Sequence, residues 1–383
     1  MVIEGLRKIS WTTRALALAV ALVCAASLWL AAAAQALPAK FWGAVPQASL
    51  SGEQYERLGD GGVASVRLAF DWGALQSSRG AAVDWSGPDT AVERAVLAGI
   101  EVLPTVTGVP SWAVPTVRVS GGGGSQAPAH LPASGAAASA WKKFLAQAVE
   151  RYGPNGDFWA THPALPVRPL RAWQVFNEPN FKYFVAKPNP TEYGALVKIS
   201  SAVIKAVDPG AQVVLAGLFS KPKGSRTASG KHKSLNWWAS DFLTKMYKTS
   251  PGIKSRFTGV ALHPYAIYAR EIPALVTELR AVLTANHDSS KGLWITELGW
   301  SSQKPTRSNL FAKGVSGQAQ QLTSAFNALR SNQAKWRVQR VYWFSVDDAS
   351  GVCNFCDGSG LFGEGFVPKK AWYEYVKFAG GTP

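Results

Sequence analysis

Short apolar runs alternate with amphipathic segments along most of the chain. The runs are predicted as strands covered on both faces, because they are short and almost continuously apolar. They cover residues 41–45, 65–72, 102–107, 171–178, 212–218, 257–263, 292–297 and 338–345. The third run contains Pro104, which is unusual for a strand in the interior of a sheet.

Helical periodicity follows these runs. The predicted helices cover residues 53–58, 89–98, 138–152, 190–207, 273–283, 316–331 and 371–378, and another ends near residue 246. The clearest is 190–207, because Asn189 is a typical N-cap, Pro190 suits the first helical position and Glu192 follows in the first turn.

This alternation predicts an α/β protein with a parallel sheet. Eight strands with their helices predict a single (β/α)8 TIM barrel over residues 37–383, with long βα loops at its catalytic face. An open doubly wound sheet fits less well, because the first strand lacks a glycine-rich dinucleotide-binding pattern.

Polar residues stand at the C-terminal ends of the predicted strands, where a TIM barrel carries its active site. Glu178 ends the fourth strand and Glu297 ends the seventh. A lone glutamate there is more often a solvated or ion-paired residue, but two on separate strands predict paired carboxylates that cleave a glycosidic bond. Strand alternation predicts that Ile295 and Glu297 share a face. Other candidates are Arg67, which lies within the second strand four residues before Asp71, and the residues at or near other strand ends, namely Asn177, His263, Tyr265 and Trp343.

The most informative motif is Trp-Gln-Val-Phe-Asn-Glu-Pro-Asn at residues 173–180. Together with Thr-Glu-Leu-Gly at residues 296–299, it resembles the clan A glycoside hydrolases, and it is most similar to family 39 and related bacterial cellulase-like enzymes. The resemblance extends over about residues 41–378. It implies a TIM barrel that hydrolyses glycosidic bonds by a double displacement with retention of configuration.

The resemblance also implies roles for matching residues. Glu178 would be the general acid/base and Glu297 the nucleophile, while Asn177 would bind the sugar 2-hydroxyl group. Tyr265 would donate a hydrogen bond to Glu297, and Arg67 would lie nearby and keep it ionised. Physical chemistry agrees, because a cation and a hydroxyl donor both favour an ionised carboxylate. Retaining enzymes hold the two carboxyl groups about 5–5.5 Å apart.

Aromatic side chains would form the walls of the sugar site, because sugar rings stack their apolar C–H faces on indole. The resemblance implies that Trp343 is the platform at the cleaved sugar and that His263 lines the same subsite. Among the 16 tryptophans, Trp72, Trp112 and Trp300 are further candidates near the barrel mouth. Each of them could instead be ordinary packing.

The formal net charge of +16 suggests an acidic polymer or an anionic membrane as a partner. Nucleic acid is not predicted, because no reader motif or dense basic helix is recognisable. A basic stretch at residues 221–233 follows the fifth strand. It is predicted to be either a solvated loop or a guide for an anionic polysaccharide at the catalytic face.

Residues 1–36 are predicted as a signal peptide. Arg7, Lys8 and Arg14 precede an apolar run at residues 15–34, and a small-x-small cleavage pattern follows. The run could also serve as an uncleaved membrane anchor. In both cases the remaining chain is predicted to lie outside the cytoplasm, either secreted or in the cell envelope.

Cys353 and Cys356 remain after the leader, and an oxidising compartment predicts a disulfide between them. A redox pair or half of a zinc site is the alternative, but no second cysteine pair or histidine cluster completes a tetrahedral site. No metal and no cofactor are therefore predicted. Two other functions stay open: a non-catalytic carbohydrate-binding barrel, and a transglycosylase in which a sugar hydroxyl replaces water.

Overall fold

The computed structural model describes residues 37–119, 125–220, 237–349 and 356–383. The chain from Ala39 onwards belongs to one compact unit. The predicted leader, the basic stretch and Cys353 lie outside the described residues. Cys356 is disulfide-bonded, and its pairing with Cys353 stays a prediction. Among the described helices, none combines the length and the apolar character that crossing a lipid bilayer requires.

Eight parallel strands close into a barrel, which confirms the predicted fold class. Each barrel strand pairs with the next along the chain, and the last pairs with the first. The strands are β1 Trp42–Val45, β2 Ser65–Asp71, β3 Glu101–Thr107, β4 Ala172–Val175, β5 Gln212–Ser220, β6 Gly259–Pro264, β7 Gly292–Leu298 and β8 Val338–Phe344. A small antiparallel ribbon follows β3 and consists of Thr116–Arg118 and Gln126–Pro128.

Helices follow the strands as the periodicity predicts, with ends shifted by a few residues. They are α1 Gly52–Asp60, α2 Trp72–Leu75, α3 Ser86–Leu97, α4 Gly135–Tyr152, α5 Asp157–Thr161, α6 Pro190–Val207, α7 Ala239–Thr249, α8 Ile272–Ala285, α9 Gly314–Ser331, α10 Gln333–Trp336 and α11 Lys370–Ala379. Short 3-10 turns cover Ile253–Arg256, Ala269–Glu271, Cys356–Gly358 and Glu364–Phe366.

Helix α6 begins as its sequence predicts and joins two strands near the site. Asn189 Oδ1 accepts hydrogen bonds from the backbone N–H groups of Thr191 at 3.0 Å and Glu192 at 3.4 Å. One turn into the helix, the Tyr193 hydroxyl donates to the Val175 carbonyl at 2.9 Å and accepts from the Ala216 N–H at 2.6 Å. The cap defines where α6 begins, and the Tyr193 hydroxyl fixes the helix against the end of β4 and the middle of β5.

Strand β3 has a neighbouring strand on each side, and Pro104 lies before the point where hydrogen-bonded pairing with one of them begins. Pro104 lies opposite Leu68 of β2, whereas pairing with β4 starts at Thr105. Proline lacks an N–H donor, so this position loses little from the absent hydrogen bond.

Side chains from six strands fill the barrel interior. They are Val45, Leu103, Val214, Ala261, Trp294, Tyr342 and Phe344. Apolar packing of this kind supplies most of the stability of a barrel. Polar side chains lie beyond it, at the C-terminal ends of the strands.

Candidate active site

The chain leaves β4 earlier than predicted. The strand stops at Val175, and Phe176 and Glu178 follow with φ of 72° and 41°. Residues other than glycine rarely adopt left-handed conformations, which cost about 1–3 kcal/mol each and concentrate at functional sites. The prediction that this strand extends to Glu178 is therefore wrong, because a turn rather than the strand pleat aims the carboxylate.

Asn180 holds this turn in place. Its side-chain amide is wholly buried, donates to the Phe219 carbonyl at 2.8 Å and accepts from the Phe219 N–H at 3.0 Å. It also donates to the Trp237 carbonyl at 2.8 Å. Because one side chain satisfies both backbone groups of Phe219, the end of β5 is tied to the turn that carries Glu178.

Arg67, on β2, connects three site residues through its guanidinium. Nη1 donates to Glu297 Oε1 at 2.7 Å, Nη2 to Asn177 Oδ1 at 2.6 Å and Nε to Gln174 Oε1 at 2.6 Å. The side chain is buried, so these charge-assisted bonds act in a medium of low dielectric. Arg67 therefore fixes the position of Glu297 and supplies it with a counter-charge.

The two carboxylates face each other across a buried histidine. Tyr265 Oη donates to Glu297 Oε2 at 2.7 Å, the contact that the family resemblance implies. His263 Nδ1 lies 2.6 Å from Glu178 Oε1 and 3.4 Å from Glu297 Oε2. One oxygen of Glu178 and one of Glu297 lie within 4.8 Å of each other. The strand ends therefore bring the two predicted carboxylates together.

Burial raises the pKa of both carboxyl groups, but neighbouring groups make the two pKa values different. The pKa of Glu178 lies well above its usual range, because burial and the charge of Glu297 outweigh the attraction of Arg67. Burial also raises the pKa of Glu297, whereas Arg67 and the Tyr265 hydroxyl lower it. A single proton shared by the pair therefore resides on Glu178, and Glu297 is the ionised partner.

Burial and the Arg67 charge hold the pKa of His263 well below its usual range. The imidazole is therefore neutral at ordinary pH, with one nitrogen donating and the other accepting. Burial and the two carboxylates raise the pKa of Tyr265, which keeps its hydroxyl protonated as a donor.

Strand alternation fails at the end of β7. Thr296 Oγ1 bonds to His263 Nε2 at 2.9 Å, while the adjacent Glu297 bonds to Arg67. Both side chains therefore enter the site. Regular alternation would place Thr296 on the opposite face from Glu297, so the prediction that Ile295 and Glu297 share a face is wrong. The β7–β8 register shifts between Val341 and Trp343. This irregularity lets consecutive residues face the same region.

Trp343 does not occupy the predicted position at the barrel mouth. Its ring packs against Phe326 of α9 at a centroid distance of 6.3 Å and against Trp300 at 6.1 Å. Its neighbours on β8, Tyr342 and Phe344, belong to the barrel interior instead. The prediction missed the register by one residue, so Phe344 is the aromatic residue at this strand end that faces inward.

The other tryptophan candidates also pack inside the protein. Trp72 begins α2, is 0% exposed and stacks on Phe144 of α4. Trp300 is 1% exposed, and its Nε1–H donates to the Ala266 carbonyl at 2.9 Å. Trp112 is half-buried and lies under the Arg79 guanidinium. Neither Trp72 nor Trp300 offers an exposed ring face to a sugar in this structure.

The sequence analysis did not identify three polar residues near the carboxylates, namely Thr105, Gln174 and Thr296. Gln174 is wholly buried and bonds to Arg67, to the Thr105 hydroxyl at 2.9 Å and to Thr296 Oγ1 at 3.2 Å. Polar side chains within the apolar β3, β4 and β7 runs were the available signal. Strand patterns alone do not reveal that these three side chains meet.

Gly217 on β5 is a further site residue without a side chain. A Cβ at this position would lie 1.8 Å from His263 Nε2. We expect Gly217→Ala to displace the imidazole and to lower kcat/KM by about 10²-fold, since displacements near 1 Å have such effects. Overpacking should also cost about 1–3 kcal/mol of unfolding free energy.

Gly52→Ala is the matched control, because a Cβ there meets nothing within 4 Å. Steady-state kinetics and thermal unfolding of both variants would test this expectation. Wild-type activity in Gly217→Ala would show that the His263 position does not matter.

The described part of the chain offers one group that could accept a metal ion, namely Glu178, His263 and Glu297. A cation there would compete with the Arg67 guanidinium, which already neutralises Glu297 at 2.7 Å. The predicted absence of a metal and a cofactor stays a prediction.

Comparison with known proteins identifies the family. A family model described as glycosyl hydrolase catalytic core matches residues 157–366, which include both carboxylates. None of the curated proteins matches the chain. The resemblance to clan A glycoside hydrolases is confirmed by this match and by solved structures named as family 39 enzymes.

Three solved structures show the same fold at low sequence identity. A family 39 glycoside hydrolase from Bacteroides cellulosilyticus WH2 has a TM-score of 0.63 and 18% identity, over 89% of this chain and 64% of that one. A glucosidase from Croceicoccus marinus has a TM-score of 0.62 and 14% identity, over 89% of this chain and 67% of that one. A β-xylosidase from Caulobacter crescentus CB15 has a TM-score of 0.58 and 16% identity, over 89% of this chain and 68% of that one.

The chain thus spans about two thirds of the length of these neighbours, and 64% of the first. Identities of this size support the barrel fold and carry no information on the sugar. The family model, by contrast, covers more than half of the chain and contains Glu178 and Glu297. This protein belongs to the glycosyl hydrolase catalytic core family.

Proposed function

We propose that the protein is a retaining glycoside hydrolase that cleaves a β-linked polysaccharide or oligosaccharide. The observation that carries this proposal is the approach of the two carboxylates, with one oxygen of each within 4.8 Å of the other. Retaining enzymes hold the groups about 5–5.5 Å apart, whereas inverting enzymes leave about 6.5–9.5 Å for a water molecule. The distance therefore supports direct attack by a carboxylate.

In the first step, an oxygen of Glu297 attacks the anomeric carbon while the bond to the leaving oxygen breaks. Glu178 transfers its proton to that oxygen, so the leaving sugar departs as a neutral alcohol. In the second step, Glu178 removes a proton from water, whose oxygen attacks the same carbon and releases Glu297. Two inversions at one carbon yield retention.

The other residues of the site support these two steps. Arg67 Nη2 donates a hydrogen bond to Asn177 Oδ1 at 2.6 Å. Because the amide oxygen is thereby held, the NH₂ group of Asn177 is oriented to donate to a sugar hydroxyl. The Tyr265 hydroxyl and Arg67 keep Glu297 ionised before the attack. Phe344, on the inward face at the C-terminal end of β8, could supply an aromatic ring to the sugar site.

We further propose that the protein acts outside the cytoplasm, because residues 1–36 have the pattern of an export signal or a membrane anchor. The charge of +16 and the basic stretch at residues 221–233 favour an anionic polymer as the natural substrate. Both proposals rest on sequence alone.

The mechanism can be tested by the anomeric configuration of the first product. A panel of aryl β-glycosides would identify a cleaved sugar, and ¹H NMR during the first minutes would follow the released hemiacetal. We expect the product to appear first with the configuration of the substrate and to mutarotate afterwards. An initial product of opposite configuration would exclude Glu297 as a nucleophile.

A further inference from the structure

The side-chain amide of Gln174 has only one orientation that satisfies its neighbours. One end contacts Arg67 Nε at 2.6 Å, and the other contacts the Leu215 carbonyl at 3.1 Å. A guanidinium can only donate and a carbonyl can only accept. The Gln174 oxygen therefore faces Arg67, and its NH₂ group faces Leu215 and Thr296. This assignment follows from the identities of the neighbours.

The amide orientation decides the direction of the next hydrogen bond. Gln174 Nε2 lies 3.2 Å from Thr296 Oγ1, so the hydroxyl oxygen accepts there. Its remaining partner within the described residues is His263 Nε2 at 2.9 Å. Thr296 is wholly buried, and an unsatisfied buried hydroxyl proton would cost about 1–3 kcal/mol. The hydroxyl therefore donates to Nε2, which must be the unprotonated nitrogen.

A neutral imidazole that accepts at Nε2 carries its proton on Nδ1. Nδ1 lies 2.6 Å from Glu178 Oε1, so the ring donates to that oxygen. We propose that Gln174 and Thr296 are positioning residues that fix His263 as the Nδ1–H tautomer and thereby direct the transferable proton of Glu178 to Oε2. The tautomer stands on geometry alone, and its catalytic meaning rests on the proposed function.

The consequence concerns which atom of Glu178 acts as the acid. With Nδ1–H donating to Oε1, the carboxyl proton occupies Oε2 and passes from there to the glycosidic oxygen. The imidazole keeps its own proton throughout. In the opposite tautomer, a proton on Oε1 would be held by the Nδ1 lone pair and would point at the ring instead of the leaving group.

The test is the protonation of the His263 nitrogens in the full chain labelled with ¹⁵N-histidine. The sequence contains five histidines, and the spectrum of His263→Gln assigns the signal by its loss. We expect long-range ¹H–¹⁵N spectra to show Nδ1 protonated and Nε2 unprotonated. This pattern should persist at a pH low enough to protonate Glu178, because the proton then enters at Oε2.

Gln174→Glu reverses the chain of hydrogen bonds with little change of shape. A carboxylate cannot donate to Thr296, so the hydroxyl should donate to it and should accept from His263 instead. We expect the proton signal to appear on Nε2 in this variant. Thr105→Val is the matched control, since it removes a different partner of Gln174 at 2.9 Å and leaves the Thr296 contact intact. In this control, Nε2 should stay unprotonated.

An Nε2–H signal in the wild-type protein would overturn the proposal, whatever the variants do. So would a wild-type pattern in a folded Gln174→Glu protein. If the wild-type tautomer is Nδ1–H but no glycoside is cleaved, the proposed function fails while the tautomer assignment holds. The two ideas are therefore tested separately.

Discussion

Replacing Glu297 by glutamine is expected to lower kcat on the order of 10⁶-fold, the loss seen when a hydrolase is deprived of its covalent nucleophile. A neutral amide cannot attack the anomeric carbon. The fold should persist, because the amide oxygen can accept from Arg67 in place of Oε1, and the amide NH₂ group can donate to the Tyr265 hydroxyl in place of Oε2, where both bonds now measure 2.7 Å. The measurements are kcat on aryl glycosides and the midpoint of thermal unfolding.

Glu53→Gln is the control for the change of charge, since this residue lies exposed in α1, and it should keep full activity. The smaller variant Glu297→Ala leaves room for azide. Azide added to it should restore turnover of an activated aryl glycoside and give a glycosyl azide of inverted configuration, since only one displacement remains. Appreciable turnover by Glu297→Gln without azide would remove this residue from the mechanism.

Replacing Glu178 by glutamine is expected to have the second largest effect, and this effect should depend on the leaving group. Glycosides with poor leaving groups should lose about 10²–10⁴-fold in kcat/KM, the contribution typical of general acid catalysis. A dinitrophenyl glycoside needs little protonation, so its first step should be almost unchanged. Equal losses for both substrates would contradict the assignment of Glu178 as the acid.

The pH profile supplies an independent readout for the same variant. In the wild-type protein, Glu178 must be protonated, so kcat/KM should fall as pH rises through its raised pKa. Glu297 must be ionised, so kcat/KM should also fall as pH drops through the pKa of Glu297. Glu178→Gln should abolish the fall at high pH and keep the fall at low pH. Glu53→Gln should keep both limbs.

Much of the fold was predictable because its signals are local. Apolar run length, helical periodicity and the Asn189 cap each depend on neighbours in sequence, and the eight strands lie close to the predicted ranges. The position of Glu178 and Glu297 at strand ends was predictable for the same reason. The site then followed from the general property that a TIM barrel gathers its strand ends on one face.

The wrong predictions lie where a register shift of one residue changes which side chain faces the barrel interior. Trp343 was predicted to face the barrel mouth, but Phe344 faces inward and Trp343 packs on α9. Thr296 and Glu297 both enter the site beside a shift in the β7–β8 register. A period of two cannot describe such positions, because the irregularity depends on how two distant strands pair.

The sequence by itself determined the class of fold, the family and the two carboxylates, because periodicity and motif are written in consecutive residues. Only the tertiary structure decided how Glu178 is aimed, since Phe176 and Glu178 have positive φ and Asn180 ties their turn to β5. It also brought Gln174 and Thr296 from separate strands to His263. Contacts of this kind join residues far apart in the chain, and closing the barrel is what makes them neighbours.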